Sequence, residues 1–524
     1  MRIIYIFSFL ILLPCHGFCQ SKNIEKLNKE NLNWYNKDKK LDHAIGTSVD
    51  KSYELLLKTL TPKKIVVVAV IDGGVDVNHI DLQGRIWTNT REIPGNGIDD
   101  DNNGFIDDVH GWNFIGNKSG ENIENENYEY TRIVKLNNVQ DSNFIKSKEL
   151  YDNELSNRKR EKFNLDQFES VYNNSLSIIK EKTGIEAQNI NDLHKIKSKD
   201  DDVLYAKNFL QTKYKIGLSK SLLEALKKHN SDCLNYYLNL DFSPRTITGD
   251  DPLNIQDCDY GNNDVIGPES EHGTMCAGII AAVRNNGIGI DGIASNVKIM
   301  ALRTTPNGDE RDKDIALAII YAVDNGADII NMSFGKRFSP QKSFVDSAVR
   351  YAAEHHVLLI HAAGNESDDV DKNEYFPSPR FINHSEASNW LTVGATNKKE
   401  DKHLPAYFSN YGRSHVDVFA PGVDIISLDS MNSYNQASGT SFSAPVTTGI
   451  AALVLSYYPD LTPEQLVKIL CESSYKSVKP RKVFLPSKTG VLKEKIKFNE
   501  LSKSGGIANA YNALIMAGEI ENRK

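Results

Sequence analysis

An unbroken run of β-branched and apolar residues constrains the fold of this chain most strongly. The run Ile65–Ile71 reads IVVVAVI, which is typical of a strand in a parallel sheet that is buried on both faces. Shorter apolar runs follow, with helical patterns between several of them. They predict strands at Val297–Leu302, Asp328–Ser333, Val357–Ala363, Leu391–Ala395 and Val416–Ala420, and helices that include Asp312–Asn325, Ser339–His355 and Thr462–Leu470. This alternation predicts an α/β fold, a mostly parallel twisted sheet with helices on both faces.

One block inside this pattern has a different composition. Residues 141–240 hold 2 glycines, no proline and 32 charged residues, whereas 25% of the whole chain is charged. Leu, Ile, Phe and Tyr recur through the block at helical spacing, which indicates folded helices and not disorder. We therefore predict an α/β domain over 62–115 and 243–475 and a charged helical insertion over 116–242. Residues 20–61 form an N-terminal extension, and residues 476–524 form a C-terminal extension that packs on the domain.

The N-terminus is typical of a secretory signal. Arg2 supplies a positive start, Ile3–Leu13 an apolar core, and Gly17 and Cys19 the small residues that precede a cleavage site. We predict a signal peptide over 1–19 and a secreted or cell-envelope protein. Lipidation of a cysteine in this segment stays open. The four cysteines beyond it form no metal-ligand spacing and predict no particular disulfide.

The overall charge excludes some partners. A net charge of −8 over 524 residues favours solubility and argues against a nucleic-acid binder. No stretch beyond the signal has the roughly 18 consecutive apolar residues that a membrane span needs.

Four segments carry polar residues that together suit acyl transfer. Such chemistry needs a nucleophile, a base, a carboxylate that orients the base, and donors for an oxyanion. Ser441 in SGTSFSAP opens an apolar helix, and His272 in EHGTMCAGIIAA heads a helix of small residues. Asp72 in VAVIDGGVD and Asn365 in IHAAGNES each follow an apolar strand. Taken singly, each has an ordinary structural explanation, such as a helix cap or a turn. The four residues together, each at a strand end or a helix start, have no such ordinary explanation.

These segments resemble the subtilisin-like serine peptidase family (subtilases, peptidase family S8). The resemblance implies Asp72, His272 and Ser441 as a catalytic triad and Asn365 as an oxyanion donor, in the chain order known from subtilisin itself. It extends to NMSFG at Asn331–Gly335 and VFAPG at Val418–Gly422 and covers over half of the chain. By the same resemblance, the substrate cleft is bordered by Ser333, Phe334, Gly335, Ala362, Ala363 and Gly364. Protein or peptide substrates are the implied partners.

Several positions depart from the family pattern. Gly73 stands where the family usually has Ser or Thr, so a hydroxyl near the Asp72 carboxylate is missing. Met275 replaces a second histidine, and Phe442 and Ser443 replace the commoner Met and Ala after the nucleophile. None of these changes removes a required chemical group, and we expect a secreted serine endopeptidase. A peptide ligase or cyclase with the same triad, and a non-catalytic binding protein on the same fold, are the alternatives.

An acidic segment at Asn96–Phe114 predicts a structural metal. Asp99, Asp101, Asn103 and Asp107 match the early positions of a calcium loop, in which alternating oxygens surround a hard cation. The twelfth position is His110, so the EF-hand pattern is incomplete. We expect calcium here in a structural role, with no cofactor needed for the chemistry.

Overall fold

A seven-stranded parallel sheet lies at the centre of the computed structural model, which describes residues 24–477, 482–488 and 494–523. The strands are β1 (Val66–Asp72), β2 (Gly111–Asn113), β3 (Val297–Arg303), β4 (Ile329–Met332), β5 (Leu358–Ala362), β6 (Trp390–Thr396), β7 (Val418–Pro421), β8 (Ile425–Asp429), β9 (Ser433–Ala437), β10 (Lys482–Phe484) and β11 (Lys495–Lys497). The large sheet has the order β2-β3-β1-β4-β5-β6-β7, and β8-β9 and β10-β11 are antiparallel pairs. The predicted signal peptide lies outside the described residues.

Helices cover both faces of this sheet. The helices are α1 (Lys39–Asp42), α2 (Val49–Leu55), α3 (Glu129–Leu136), α4 (Phe144–Thr183), α5 (Ile190–Lys195), α6 (Asp201–Lys215), α7 (Lys220–Asp232), α8 (Arg245–Thr248), α9 (Glu271–Ala281), α10 (Asp312–Asp324), α11 (Lys342–Glu354), α12 (Thr440–Tyr457), α13 (Pro463–Glu472) and α14 (Ala510–Glu521). The α/β fold with a mostly parallel sheet is therefore confirmed.

The alternation of side chains along β1 explains why two separate cores form. Val66, Val68 and Val70 belong to the core that also contains α9 and α12, whereas Ala69 and Ile71 belong to the core that contains α10 and α11. Successive side chains of a strand point to opposite faces, so a strand between two helical layers must be apolar throughout. This is the physical basis of the IVVVAVI run.

The chain divides into two units, of which the larger comprises Met1–Glu124 and Pro244–Lys524. Within it, residues 116–124, which the sequence groups with the insertion, stay with the α/β core. Gly116 forms a bridge with Asn122, and the amide of Ile123 donates to the carbonyl of Ile115.

The smaller unit, Asn125–Ser243, is helical and contains α3 to α7. Its core is modest and includes Val134, Tyr151 and Tyr237. Ion pairs along the 40-residue α4 supplement this core, as where Arg158 contacts Glu154 and Glu161. Its helical character accords with the charged, glycine-poor composition.

The segment before β1 is built into the larger unit. Trp34 and Tyr35 are buried, and the Trp34 indole donates to the carbonyl of Val423 at 3.1 Å. The amide of Ala510, at the start of α14, donates to the carbonyl of Thr47 at 2.7 Å. The N-terminal segment and the C-terminal helix thus meet on the same part of the α/β core.

Two further observations concern the cysteines and the apolar length of the helices. Within the described residues, Cys233, Cys258, Cys276 and Cys471 are free. The helices of the described ranges include none that is both long and apolar enough to cross a membrane.

Candidate active site

Asp72 lies at the carboxyl end of β1, where the sheet meets the loop that follows. Its residue surface is only 3% exposed, and its carboxylate accepts a hydrogen bond from the amide of Gly73 at 2.8 Å. Both carboxylate oxygens lie 2.9 Å from Nδ1 of His272. The strand end therefore holds a buried negative charge directly against one imidazole nitrogen.

His272 is the second residue of α9 and faces this carboxylate through Nδ1. The contact assigns the Nδ1–H tautomer to the neutral ring and leaves Nε2 as the nitrogen that can take up a proton. Burial alone would lower the pKa of His272, but the charge of Asp72 and its hydrogen bond outweigh burial and raise the pKa. The side chain is still 42% exposed. An oriented, partly open imidazole of this kind can act as a general base.

Ser441 is the second residue of α12 and is held by a reciprocal pair of hydrogen bonds. Its Oγ donates to the carbonyl of Ser333 at 3.0 Å, and Ser333 Oγ donates to the carbonyl of Ser441 at 2.8 Å. Among the described residues, no hydrogen bond joins Ser441 Oγ to His272. The ring of Phe442, the next residue, lies 5.6 Å from the imidazole centroid. Ser441 therefore comes in the chain directly before a side chain that contacts the imidazole, but its own hydroxyl is bonded to Ser333.

Asn365 follows β5 and is anchored to the start of α12. Its Oδ1 accepts hydrogen bonds from the amide of Thr440 at 2.9 Å and from the hydroxyl of Thr440 at 3.0 Å. With Oδ1 occupied, the Nδ2 group is the end of the amide that is left to bind a ligand. The backbone N–H of Ser441 is one of the first four of α12 and has no acceptor within the helix. These two donors lie near each other, since a Cβ built on Gly439 would lie 3.6 Å from Asn365 Nδ2 and 3.7 Å from the Ser441 nitrogen.

Two backbone segments flank Ser441, and they are the ones expected to border a cleft. Ser333, Phe334 and Gly335 follow β4, and Ala362, Ala363 and Gly364 end and follow the adjacent β5. His361 Nε2 donates to the carbonyl of Phe334 at 2.8 Å, and burial lowers the pKa of His361 to about 4, so this ring is neutral. The Gly364 amide donates to the Thr440 hydroxyl at 3.1 Å.

The missing hydroxyl at Gly73 has a steric explanation. A Cβ at this position would lie 3.0 Å from the carbonyl oxygen of Thr305 and 3.3 Å from that of Glu269. Both contacts are tighter than most real Cβ contacts, and both involve backbone atoms. Glycine therefore lets the backbone at Thr305 and at Glu269 lie closer to residue 73, next to the Asp72 carboxylate, than serine would.

Sequence reasoning missed Cys276, which lies beneath the site. The thiol is buried and donates to the carbonyl of Ser441 at 3.5 Å. Burial, together with the charge of Asp72, raises the pKa of Cys276 well above its ordinary value, so the thiol stays protonated. It therefore acts as a small packing group. The sequence did hold one signal for this position, because a residue four places after His272 in a helix lies on the same helix face.

The acidic segment folds differently from the calcium loop that its spacing predicts. Carboxylate oxygens of Glu92, Asp99 and Asp101 lie within 4.8 Å of one another. Asp107 is turned elsewhere and accepts the amides of Gly95, Asn96 and Gly97. Asn103 donates from Nδ2 to Asp108 at 3.0 Å. The structure thus brings together two of the four predicted ligands and adds Glu92, which the spacing did not indicate.

Comparison with known proteins assigns the chain to a family. The model of the subtilase family matches residues 63–500. The chain is similar to the thermophilic serine proteinase of Bacillus sp. strain AK1, with 38% identity over 221 residues, 42% of this chain and 49% of that protein. It is also similar to thermitase of Thermoactinomyces vulgaris, with 37% identity over 35% of this chain and 61% of thermitase.

A third relative is the extracellular basic protease of Dichelobacter nodosus, 33% identical over 39% of this chain and 35% of that protein. The chain thus spans less than two thirds of the length of each of these relatives. The family match nevertheless covers most of the chain, and it agrees with the parallel sheet and with the polar residues at its strand ends. The chain belongs to the subtilase family.

Proposed function

We propose that the protein is a serine endopeptidase in which Ser441 is the nucleophile, His272 the general base and Asp72 the residue that orients the base. The observation that carries this proposal is the contact of both Asp72 carboxylate oxygens with His272 Nδ1 at 2.9 Å, on an imidazole whose ring lies 5.6 Å from that of Phe442, the neighbour of Ser441. The name of one relative, the thermophilic serine proteinase of Bacillus sp. strain AK1, supports it.

The proposed reaction follows from the position of each group. Ser441 Oγ leaves the carbonyl of Ser333 and attacks a peptide carbonyl carbon, while His272 Nε2 takes the hydroxyl proton. The carbonyl π-bond electrons move to the oxygen, where the Asn365 amide and the Ser441 backbone N–H stabilise the oxyanion. His272 then gives its proton to the departing amine, which leaves an acyl ester on Ser441. Water, activated by His272, hydrolyses that ester.

Proteins and peptides are the proposed substrates, bound in extended form along Ser333–Gly335 and Ala362–Gly364. These segments continue the ends of β4 and β5. A substrate strand there would gain main-chain hydrogen bonds. We also propose that the protein is exported, on the signal-like sequence of residues 1–19 and on the extracellular relative from Dichelobacter nodosus.

A structural calcium ion is part of the proposal. The carboxylates of Glu92, Asp99 and Asp101 form a set of hard oxygen donors of the kind that calcium prefers. Three like charges this close destabilise each other without a counter-ion. Arg91 supplies part of the compensation through a 2.9 Å contact with Asp101. When bound, the ion would neutralise this cluster and link its chain segments, without a role in bond cleavage.

Labelling with a fluorophosphonate, which forms a covalent adduct with activated serines, tests the assignment directly. We expect the mature protein to be labelled and to cleave casein, and Ser441→Ala to lose both properties. Ser443→Ala is the matched control, because this serine is in the same helix but hydrogen-bonds the carbonyls of Ala420 and Pro421. It should retain labelling and cleavage.

Two results would contradict the proposal. If the folded protein with an accessible site is not labelled, a binding role is favoured. If Ser441 is labelled but peptides are joined and not hydrolysed, the enzyme is a ligase that uses the same nucleophile. Mass spectrometry of the peptide products separates hydrolysis from ligation.

A further inference from the structure

The gap between the two segments that flank Ser441 is filled by a tyrosine. A Cβ built on Gly335 would lie 2.7 Å from Cε1 of Tyr375, and one built on Gly364 would lie 3.2 Å from the same atom. Gly335 follows β4, Gly364 follows the adjacent β5, and both segments contact the start of α12. The phenol ring of Tyr375 therefore lies between Gly335 and Gly364, which have no side chains of their own, close to the proposed nucleophile.

Hydrogen bonds hold this ring in place. The Tyr375 hydroxyl donates to Glu366 Oε1 at 2.9 Å, and Asn410 Nδ2 donates to Glu366 Oε2 at 2.7 Å. Asn410 also donates to the carbonyl of Ala363 at 2.9 Å, and its Oδ1 accepts the amide of Glu366 at 3.0 Å. Burial and the negative charge of Glu366 raise the pKa of the Tyr375 phenol, so it remains a donor. Moving the ring would break a hydrogen bond to a carboxylate.

The contacts of Glu366 also bear on charge selectivity. A free carboxylate beside the scissile bond would attract a lysine or arginine side chain of the substrate. Here both carboxylate oxygens already accept hydrogen bonds, and the ring of Tyr375 lies over the same gap. A basic side chain would therefore have to displace the ring before it could reach the charge.

The position of the Tyr375 ring limits the size of the substrate side chain that fits between Gly335 and Gly364. The residue whose carbonyl reaches Ser441 and Asn365 must sit at the mouth of the gap, because both groups adjoin its two walls. A methyl or hydroxymethyl group needs little depth, whereas a leucine or phenylalanine side chain needs the volume that the Tyr375 ring occupies. Sterically closed pockets of this kind discriminate by about 10–200-fold per additional methylene-sized group.

We propose that Tyr375 is a specificity-determining residue that limits the substrate residue on the N-terminal side of the scissile bond to glycine, alanine or serine. This inference rests on the proposed peptidase function and names its substrate class. Tyr375 acts by excluded volume, and Glu366 and Asn410 position it.

The test compares peptides that differ only at that residue, with Gly, Ala, Leu, Phe or Arg, each flanked by a fluorophore and a quencher. For the wild-type enzyme, kcat/KM for the Ala peptide should exceed that for the Leu or Phe peptide by at least about 10-fold. Tyr375→Ala should raise kcat/KM for Leu and Phe by about 10–100-fold and change the value for Ala only slightly. Tyr375→Phe, which keeps the ring, should retain the small-residue preference. Tyr351→Ala, which removes a tyrosine ring from α11, controls for general loss of an aromatic side chain.

A second readout needs no variant. The cleavage sites of the wild-type enzyme in denatured casein, mapped by mass spectrometry, should fall after small residues. Cleavage mainly after large apolar residues, or after arginine and lysine, would overturn the inference, as would a Tyr375→Ala profile equal to that of the wild type. Fluorophosphonate labelling is read in parallel. Labelling with the wrong preference refutes only the role of Tyr375, whereas absent labelling refutes the peptidase proposal itself.

Discussion

The helix that carries the proposed nucleophile and the long helix of the insertion show opposite ways of stabilising a helix. Every residue of α12 except Ser441 is buried, so packing on all sides fixes the position of its first turn. The 40-residue α4 buries six residues, and its exposed surface carries ion pairs such as Lys148 with Asp152 and Lys162 with Asp166. Buried packing can hold a side chain in register with partners on other strands, whereas exposed ion pairs contribute little energy each. The difference separates residues whose substitution should affect chemistry from those whose substitution should affect only local stability.

The largest expected effect comes from the carboxylate under the histidine. Asp72→Asn should lower kcat by about 10⁴-fold, a loss of the size known for triad aspartates, because the histidine loses its orienting charge and preferred tautomer. Since the pKa of His272 is raised by Asp72 above the ordinary 6.5, wild-type activity should fall as the pH drops through a value above 6.5. Without that charge, burial dominates, and the acidic limb should move below 6.5.

The measurement is kcat/KM against pH for the wild type and Asp72→Asn, with thermal unfolding to confirm that both are folded. The stability contributed by protonated His272 should be complete below pH 6.5 and lost as the pH rises through the raised pKa of the folded protein. An acidic limb at the same pH in both proteins would contradict the assigned cause.

The next effect concerns Asn365, the proposed oxyanion donor. Asn365→Ala should lower kcat by about 10²–10³-fold with little change in KM, as for the equivalent donor in subtilisin. The variant also loses the acceptor of the Thr440 amide and hydroxyl. Asn365→Asp keeps an acceptor there without the NH₂ donor, so it separates anchoring from catalysis. If Asn365→Asp keeps full activity, Asn365 does not stabilise an oxyanion.

A smaller effect is expected in the acidic segment, which takes no part in the proposed chemistry. Removal of calcium with EGTA should lower the unfolding temperature by a few degrees, since an ion bound only to the folded state stabilises it. The double variant Asp99→Asn/Asp101→Asn should be insensitive to EGTA. Differential scanning calorimetry with and without calcium checks this. Equal unfolding temperatures for the wild type in both conditions would refute the site.

The smallest effect is expected on the surface of α4. Arg158→Met removes the contacts with Glu154 and Glu161 and should lower the free energy of unfolding by about 1 kcal/mol or less. We expect no change in kcat/KM for casein beyond twofold. Lys162→Met, which breaks an exposed pair with Asp166, is the matched control. Loss of activity in folded Arg158→Met would indicate that the insertion takes part in substrate handling, and would break the contrast between the two helices.

Much of the fold was predictable because burial leaves a direct pattern in the sequence. The strand predicted at Ile65–Ile71 corresponds to β1 at Val66–Asp72, and the helix predicted at Thr462–Leu470 corresponds to α13 at Pro463–Glu472. β2 was not predicted, because three residues within a polar segment give no periodic signal. It forms where Gly111, with φ of +130°, fits closely against the backbone of Ala301.

Some residues of the candidate site were indicated by the sequence and others were not. Asp72, His272 and Ser441 could be proposed from the sequence because each stands at the end of an apolar strand or the start of an apolar helix. Tyr375 gave no such signal, since it lies in an irregular loop and its neighbours Gly335 and Gly364 are distant in sequence. The calcium ligands stay a prediction, and oxygen spacing along a chain does not reveal that the Asp107 carboxylate accepts backbone amides.

The burial of the segment before β1 has a consequence for producing the protein. A recombinant fragment that began at residue 62 and stopped at 475 would contain the sheet and every proposed catalytic group. It would also lack Trp34, Tyr35 and α14, and so leave uncovered the apolar surface that they bury. Contiguous apolar surface of this kind promotes aggregation. Such a fragment should accumulate as insoluble material, whereas a chain that retains residues 24–523 should be recovered soluble and active.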